Sequence, residues 1–191
     1  AYGLDLADAK LTGGNSGDQA GYAVAGGGDV DGDGYADLLI GAPEEDSGGG
    51  GAGAAYLVSG PVTGEMSLRL ADTVFIGENN DDMTGAAVSI VGDLDGDGHD
   101  DLLIGARLDD VAGNDAGAAS FVLAPEPGTI DMASVNAKVL GVAGDDWAGA
   151  SVAGVGDLNQ DGVPDVAVGV PYDDNAGADA GAVWVLLGGG F

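Results

Sequence analysis

Three stretches carry most of the chain's capacity for chemistry. They are Asp29-Val30-Asp31-Gly32-Asp33-Gly34-Tyr35-Ala36-Asp37, Asp93-Leu94-Asp95-Gly96-Asp97-Gly98-His99-Asp100-Asp101 and Asp157-Leu158-Asn159-Gln160-Asp161-Gly162-Val163-Pro164-Asp165. Each begins 64 residues after the one before, without a gap. Oxygen-bearing side chains fall at loop positions 1, 3, 5 and 9, with glycine at position 6. A loop so built curls its oxygens around a hard cation, and calcium takes about six to eight of them at about 2.3–2.6 Å. The candidate ligands are therefore Asp29, Asp31, Asp33 and Asp37; Asp93, Asp95, Asp97 and Asp101; and Asp157, Asn159, Asp161 and Asp165. The backbone carbonyls of Tyr35, His99 and Val163, at position 7, are the expected fifth donors.

An EF-hand loop starts in the same way but closes with a bidentate glutamate at position 12 between two helices. Here position 12 is Ile40, Ile104 or Val168, inside an apolar run that reads as a strand. The aspartate at position 9 must close the cage instead. Three calcium ions per chain, each in a β-hairpin loop, is the expectation. The third site is expected to be the weakest, because Asn159 replaces an acid at position 3 and Gln160 a glycine at position 4.

Other chemistries have little to work with. His99 is the only histidine, there is no cysteine, and the imidazole is expected to face solvent. A nucleophile–histidine device therefore lacks its parts. The acidic pairs Glu45-Asp46, Asp81-Asp82, Asp109-Asp110, Asp145-Asp146 and Asp173-Asp174 recur near the repeat spacing. That favours structural duty, loop solvation or further cation binding over glycosidase-type catalysis. Gly48-Gly49-Gly50-Gly51 leads into no helix, so a phosphate cradle is not expected. Trp147, beside an acidic loop at the place of Gln19 and Met83, is read first as packing, with stacking on a sugar as the alternative.

Composition narrows the partners. The net charge is −29, with only four lysines and arginines, so nucleic acid and anionic membrane surfaces are poor partners. No apolar run approaches the ~20 residues of a membrane-spanning helix. Calcium loops suit an extracellular or cell-surface, secreted setting, and with no cysteine there is neither a disulfide staple nor thiol chemistry. The chain starts at Ala1 without a signal-like segment, as expected of a mature product or a piece of something longer.

The loops sit inside a longer repeat. Gly21-Tyr22-Ala23-Val24-Ala25, Gly85-Ala86-Ala87-Val88-Ser89 and Gly149-Ala150-Ser151-Val152-Ala153 precede them. Gly41-Ala42-Pro43, Gly105-Ala106-Arg107 and Gly169-Val170-Pro171 follow, and then Gly53-Ala54-Ala55-Tyr56-Leu57-Val58 and its two copies. Short apolar or alternating runs between glycine turns predict strands, near 21–27, 37–42, 53–59 and 72–77 in the first unit. No useful amphipathic helix is predicted. The fourth strand, Asp72–Gly77, recurs as Asn136–Gly141, and a third version stands ahead of the first unit as Asp8–Gly13.

Four-stranded sheets repeated in this way are blades of a β-propeller. The fold class expected is all-β, a single domain over 1–191 with three four-stranded blades. The repeats fall near 8–71, 72–135 and 136–191, with residues 8–13 completing the last blade.

These motifs resemble the FG-GAP repeat family, found in integrin α-subunit propellers and many secreted bacterial proteins. The likeness lies in Gly21-Tyr22 and its copies, the three acidic loops, Gly41-Ala42-Pro43 and the Gly-Ala-aromatic strand, and it covers nearly the whole chain. It implies a propeller with calcium in inter-strand loops, serving adhesion or recognition of a protein or glycan, and no enzyme. Propellers of the family typically have seven blades and this chain holds three. A six-bladed ring made by a homodimer is the favoured closure. A segment of a longer chain and a self-contained three-bladed ring are the alternatives. For function, part of a polysaccharide-acting enzyme and a purely architectural ring are the alternatives.

Overall fold

The computed structural model describes residues 3–135 and 137–189. Asn136, expected to open the fourth strand of the second unit, lies outside them, as do the terminal residues Ala1, Tyr2, Gly190 and Phe191. The chain is all-β with three single-turn 3-10 segments, Leu4–Leu6, Leu68–Leu70 and Met132–Ser134. In order, the strands are β1 (Ala9–Thr12), β2 (Ala23–Gly26), β3 (Leu38–Ala42), β4 (Ala54–Val58), β5 (Gly64–Ser67), β6 (Thr73–Ile76) and β7 (Thr84–Gly92). They continue as β8 (Asp101–Ala106), β9 (Ala118–Val122), β10 (Gly128–Asp131), β11 (Ala137–Leu140), β12 (Ser151–Gly156), β13 (Asp165–Val170) and β14 (Ala182–Leu186).

The strands form four sheets, of orders β1-β5, β10-β6-β4-β3-β2, β11-β9-β8-β7 and β12-β13-β14. Each repeat makes an antiparallel meander, and in the first two a fourth strand returns to the edge of the third, β6 on β4 and β11 on β9. This is the arrangement of propeller blades. The middle strands β3, β8 and β13 carry near-continuous apolar runs, because both of their faces are covered or both flanking strands are apolar.

The core lies between successive blades. One cluster joins Leu39, Leu57 and Phe75 of the first blade to Val88, Ile104 and Val122 of the second, with Met132 plugging it. Another joins Leu103, Phe121 and Val91 of the second blade to Val166 and Val168 of the third. Burial of this kind makes the repeats cooperative.

Two features were not expected. Strands β5 and β10 cross over to the outer edge of the preceding fourth strand, where they pair in parallel: β10 with β6, and β5 with β1. The first blade thus gains a fifth strand. Residues 8–13, expected on the last blade, do not reach it within one chain; β1 lies instead on β5, and Leu11 and Met66 pack over the outer part of the first blade. The third blade has three strands among the described residues.

Candidate metal loops

The three acidic loops join the first two strands of each blade, β2 to β3, β7 to β8 and β12 to β13, and so share one end of the molecule. Position 9 anchors each loop. Asp37, Asp101 and Asp165 are buried, and each carboxylate accepts two backbone N–H bonds. One comes from position 2 of its own loop, Val30, Leu94 or Leu158, at 2.7 Å in every case. The other comes from beyond the third strand, from Gly60 (2.9 Å), Ala124 (3.2 Å) or Gly188 (2.8 Å). This residue therefore ties the loop to its own sheet and aims its oxygens inward.

Positions 1, 3 and 5 fold the loop by capping backbone donors. Asp29 Oδ2 accepts from Gly34 N–H (2.9 Å), Asp31 Oδ1 from Asp33 N–H (3.1 Å) and Asp33 Oδ1 from Tyr35 N–H (2.8 Å). The second loop repeats these bonds at Gly98, Asp97 and His99, and the third at Gly162, Asp161 and Val163. Carboxylate oxygens of Asp29, Asp31 and Asp37 lie within 4.8 Å of one another, as do those of Asp93, Asp95 and Asp101. Such convergence of like charges is costly unless a cation or protons offset it. In the first loop Asp29 Oδ1 is buried and has no hydrogen-bond partner. The donor set of three carboxylates, with a position-5 acid and a position-7 carbonyl adjoining, fits a hard oxygen-loving cation.

The loops are not equivalent. Burial raises the Asp101 carboxyl to about 6 against the lowering effect of its bonds from Leu94 and Ala124, with Asp95 and Asp97 adding repulsion. In the third loop the Asn159 amide donates to Asp161 Oδ2 (2.7 Å), supplying a positive dipole where the other loops hold a carboxylate. The N–H of Val163, and then that amide, pull Asp161 below the usual carboxylate range.

His99 departs from expectation. Its ring does not point to solvent; Nδ1 lies 3.2 Å from the Val30 carbonyl, half-buried between the first two loops. Asp100 completes that junction, accepting from Asp29 N–H (2.8 Å) and donating its own N–H to the Asp29 carbonyl (3.1 Å). The loops of neighbouring blades are thereby coupled, which spacing within one loop could not reveal.

At the opposite end of the strands the acidic pairs act as turn caps. Glu45, Asp109 and Asp173 accept from the N–H two residues on, at 2.8–2.9 Å, and Asp46, Asp110 and Asp174 from the N–H five residues on, at 2.7–2.9 Å. Burial raises Asp82 to about 6, with Asp109 contributing, and Asp109 is raised likewise. Trp147 is half-buried: it meets Tyr172 edge-on at 4.7 Å, and the Arg107 guanidinium lies 5.5 Å above its ring. Packing thus accounts for it. Arg107, where the first unit has proline, was visible in the sequence only as a departure from the repeat.

Fold and loops together define an all-β, propeller-like repeat protein with converging carboxylates in the loops of its first two repeats. Residues 20–58, 84–122 and 148–186 each match the FG-GAP repeat, and the chain belongs to the FG-GAP repeat family. It is 31% identical over 139 residues to integrin alpha-3 of Cricetulus griseus, covering 73% of this chain and 12% of that protein. Against integrin alpha-6 of Gallus gallus it is 31% identical over 145 residues, 74% of this chain and 12% of the relative. Against human integrin alpha-7 it is 40% identical over 83 residues, 44% and 7% respectively. The chain thus spans only about a tenth of the length of these relatives.

Proposed function

We propose that the chain is a calcium-stabilised, extracellular recognition module of integrin-like type, without catalytic activity. In this reading two chains share one six-bladed ring, and calcium occupies the loops ending at Asp37, Asp101 and Asp165. The observation that carries it is Asp29 Oδ1, a buried carboxylate oxygen without a partner inside a cluster of three converging acids. A bound calcium ion would give that oxygen its partner and offset the repulsion that otherwise opens the hairpin. Binding to the folded state alone adds RT ln(1 + [L]/Kd), about 2.7 kcal/mol per site at a hundredfold excess over Kd. Adhesion or ligand recognition is proposed from the family likeness. No helix among the described residues is long and apolar enough to cross a membrane.

Thermal unfolding with and without excess calcium tests the reading. Wild type is expected to gain a large upward shift, and Asp31→Asn to lose about a third of it, in line with one site of three. Asp31 is exposed, so this variant should fold normally without calcium. No calcium shift in wild type, or an unchanged shift in the variant, would refute the assignment.

A further inference from the structure

The first two acidic loops are bonded to each other, while the second and third face each other across a cleft. At loop position 4, a Cβ built on Gly32 would come within 2.6 Å of the His99 ring. One built on Gly96, the same position 64 residues on, would meet nothing within 4 Å. The cleft between the second and third loops has a volume of about 440 Å³ and is lined by Asp93, Asp95, Val163 and Pro164.

Two residues make the difference. Position 7 is His99 in the second loop and Val163 in the third, and position 8 is Asp100 and then Pro164. The His99 ring reaches across to the Val30 carbonyl, with Nδ1 at 3.2 Å. Asp100 clasps Asp29 twice: its Oδ2 accepts the Asp29 N–H at 2.8 Å, and its own N–H donates to the Asp29 carbonyl at 3.1 Å. A proline has no N–H to donate and no side-chain oxygen, so Pro164 cannot hold Asp93 in this way. It still packs at the equivalent place. A Cβ on Gly92 would lie 2.9 Å from Pro164 Cγ, as one on Gly28 would lie 2.7 Å from Asp100 Oδ2. The same seam between blades is clasped in one case and only packed in the other.

The clasped seam runs through ligand positions on both sides. Asp29 is position 1 of the first loop, and its Oδ1 is the buried oxygen without a partner. Val30 gives its N–H to Asp37 at position 9 and turns its carbonyl to His99. On the other side, Asp100 stands between His99, whose carbonyl is the expected position-7 donor, and Asp101 at position 9. Fixing the backbone at 29–30 therefore fixes it at 99–100. Whichever loop closes first bears the ordering cost of the shared seam, and the other then closes at less cost. The surplus acid of a chain with a net charge of −29 offsets the repulsion between two cations so placed.

We infer that the first and second loops fill with calcium as one cooperative pair, joined through the Asp100–Asp29 clasp, and that the third fills alone. The inference rests on the calcium reading and adds to it a coupling between sites. A seam of three hydrogen bonds is expected to give about tenfold in affinity, toward the low end of the about 5–150-fold that coupled sites show. By linkage each loop of the pair raises the affinity of the other by the same factor.

Calcium titration followed by amide NMR is the test, because it resolves the loops one by one. Gly34, Gly98 and Gly162 each donate their N–H to the position-1 carboxylate at 2.9 Å, so each reports on its own loop. In wild type the Gly34 and Gly98 signals should move together and steeply, and Gly162 apart from them along a simple one-site curve. Asp31→Asn in the first loop should weaken the Gly98 response about tenfold and leave Gly162 where it was. The same variant should then forfeit about half of the calcium melting shift, in place of the third that independent loops would lose. Asp100→Pro, carrying the third loop's own residue at that place, should cut the effect of Asp31→Asn on Gly98 to below about threefold. Asp100→Ala removes the carboxylate without adding a ring and should cut it part-way. Asp100→Asn keeps the N–H and one acceptor oxygen without the charge, and should preserve the coupling. A Gly98 response indifferent to Asp31→Asn, or a coupling that survives both Asp100→Pro and Asp100→Ala, would overturn the inference and leave calcium binding in place. If none of the three glycines responds to calcium, the calcium reading fails and the coupling fails with it.

Discussion

The junction between the first and second blades and the free face of the third are built from the same repeat, yet they differ sharply in burial. Ala55 and Leu57 are 0% and 3% exposed at the junction, while their counterparts Val183 and Val185 are 71% and 49% exposed. Side-chain type does not account for this, since the third blade has the more uniformly apolar third strand. What differs is the neighbour. A blade is apolar on both faces because it expects another blade on each side, so its stability is lent from next door.

Phe75 and Leu11 stand 64 residues apart at equivalent places and give the strongest test of that contrast. Phe75 is fully buried between two complete blades; Leu11 is half-buried over one. Phe75→Ala is expected to cost about 3–5 kcal/mol, as aromatic truncation in a closed core does. Leu11→Ala, losing a contact that is only half formed, is expected to cost about 1–2 kcal/mol. Urea denaturation of the isolated single-chain form measures both. Equal losses would show that the open end is as well packed as the closed one, and the contrast would fail.

The closed junction also carries a cost that pH can expose. Asp82 is 1% exposed there, and burial raises its carboxyl to about 6 from an unfolded value near 3.8. A raised folded value means the native state holds its proton longer than the unfolded chain does. The stability so contributed is full below pH ~4 and is lost as pH rises through about 6. Asp82→Asn, neutral throughout, is expected to stabilise the protein at neutral pH by about 1–2 kcal/mol. Each tenfold change in proton affinity is worth about 1.4 kcal/mol. Both bonds from Asn79 end on one oxygen, Oδ2, so the new amide oxygen can keep them, and the gain falls short of the full amount because an –NH2 group replaces Oδ1. Melting curves at pH 4 and pH 7 decide it: the variant's advantage should be present at pH 7 and absent at pH 4.

Much of this was legible in the sequence, for reasons that are local. The strands at 23–26, 38–42, 54–58 and 73–76 fall inside the ranges that glycine-bounded apolar runs predict. The convergence of Asp29 with Asp31 and Asp37, and of Asp93 with Asp95 and Asp101, was readable because position in the loop dictates where each oxygen points. Non-local pairings were not legible. Gly64–Ser67 and Gly128–Asp131 are short and largely exposed, with no alternating pattern, and they become strands because β1 and β6 offer them an edge. His99 sits in its loop as position 7 should, but its ring is placed by the loop of the neighbouring blade. The turn-capping duty of Asp109 was hidden for a similar reason: its environment is made by a turn and by Asp82 of another strand connection.

The smallest expected effect separates the third unit from the other two within a single residue. At loop position 4, Gly32 and Gly96 adopt left-handed φ values of +76° and +83°. Gln160 is held at +62° in the third loop, a conformation in which a Cβ crowds the following carbonyl at a cost of about 1–2 kcal/mol. Gln160→Gly removes that crowding but frees the unfolded chain, which takes back about 0.5–1 kcal/mol. A net gain of about 0.5–1 kcal/mol should remain, or about 1–4 °C in Tm for a domain of this size. Gln160→Ala keeps the Cβ and should gain nothing. The pair of variants, melted with calcium removed, isolates the backbone from the ion. If glycine and alanine behave alike, the third loop is not strained at this position, and its difference from the other two rests on Asn159 alone.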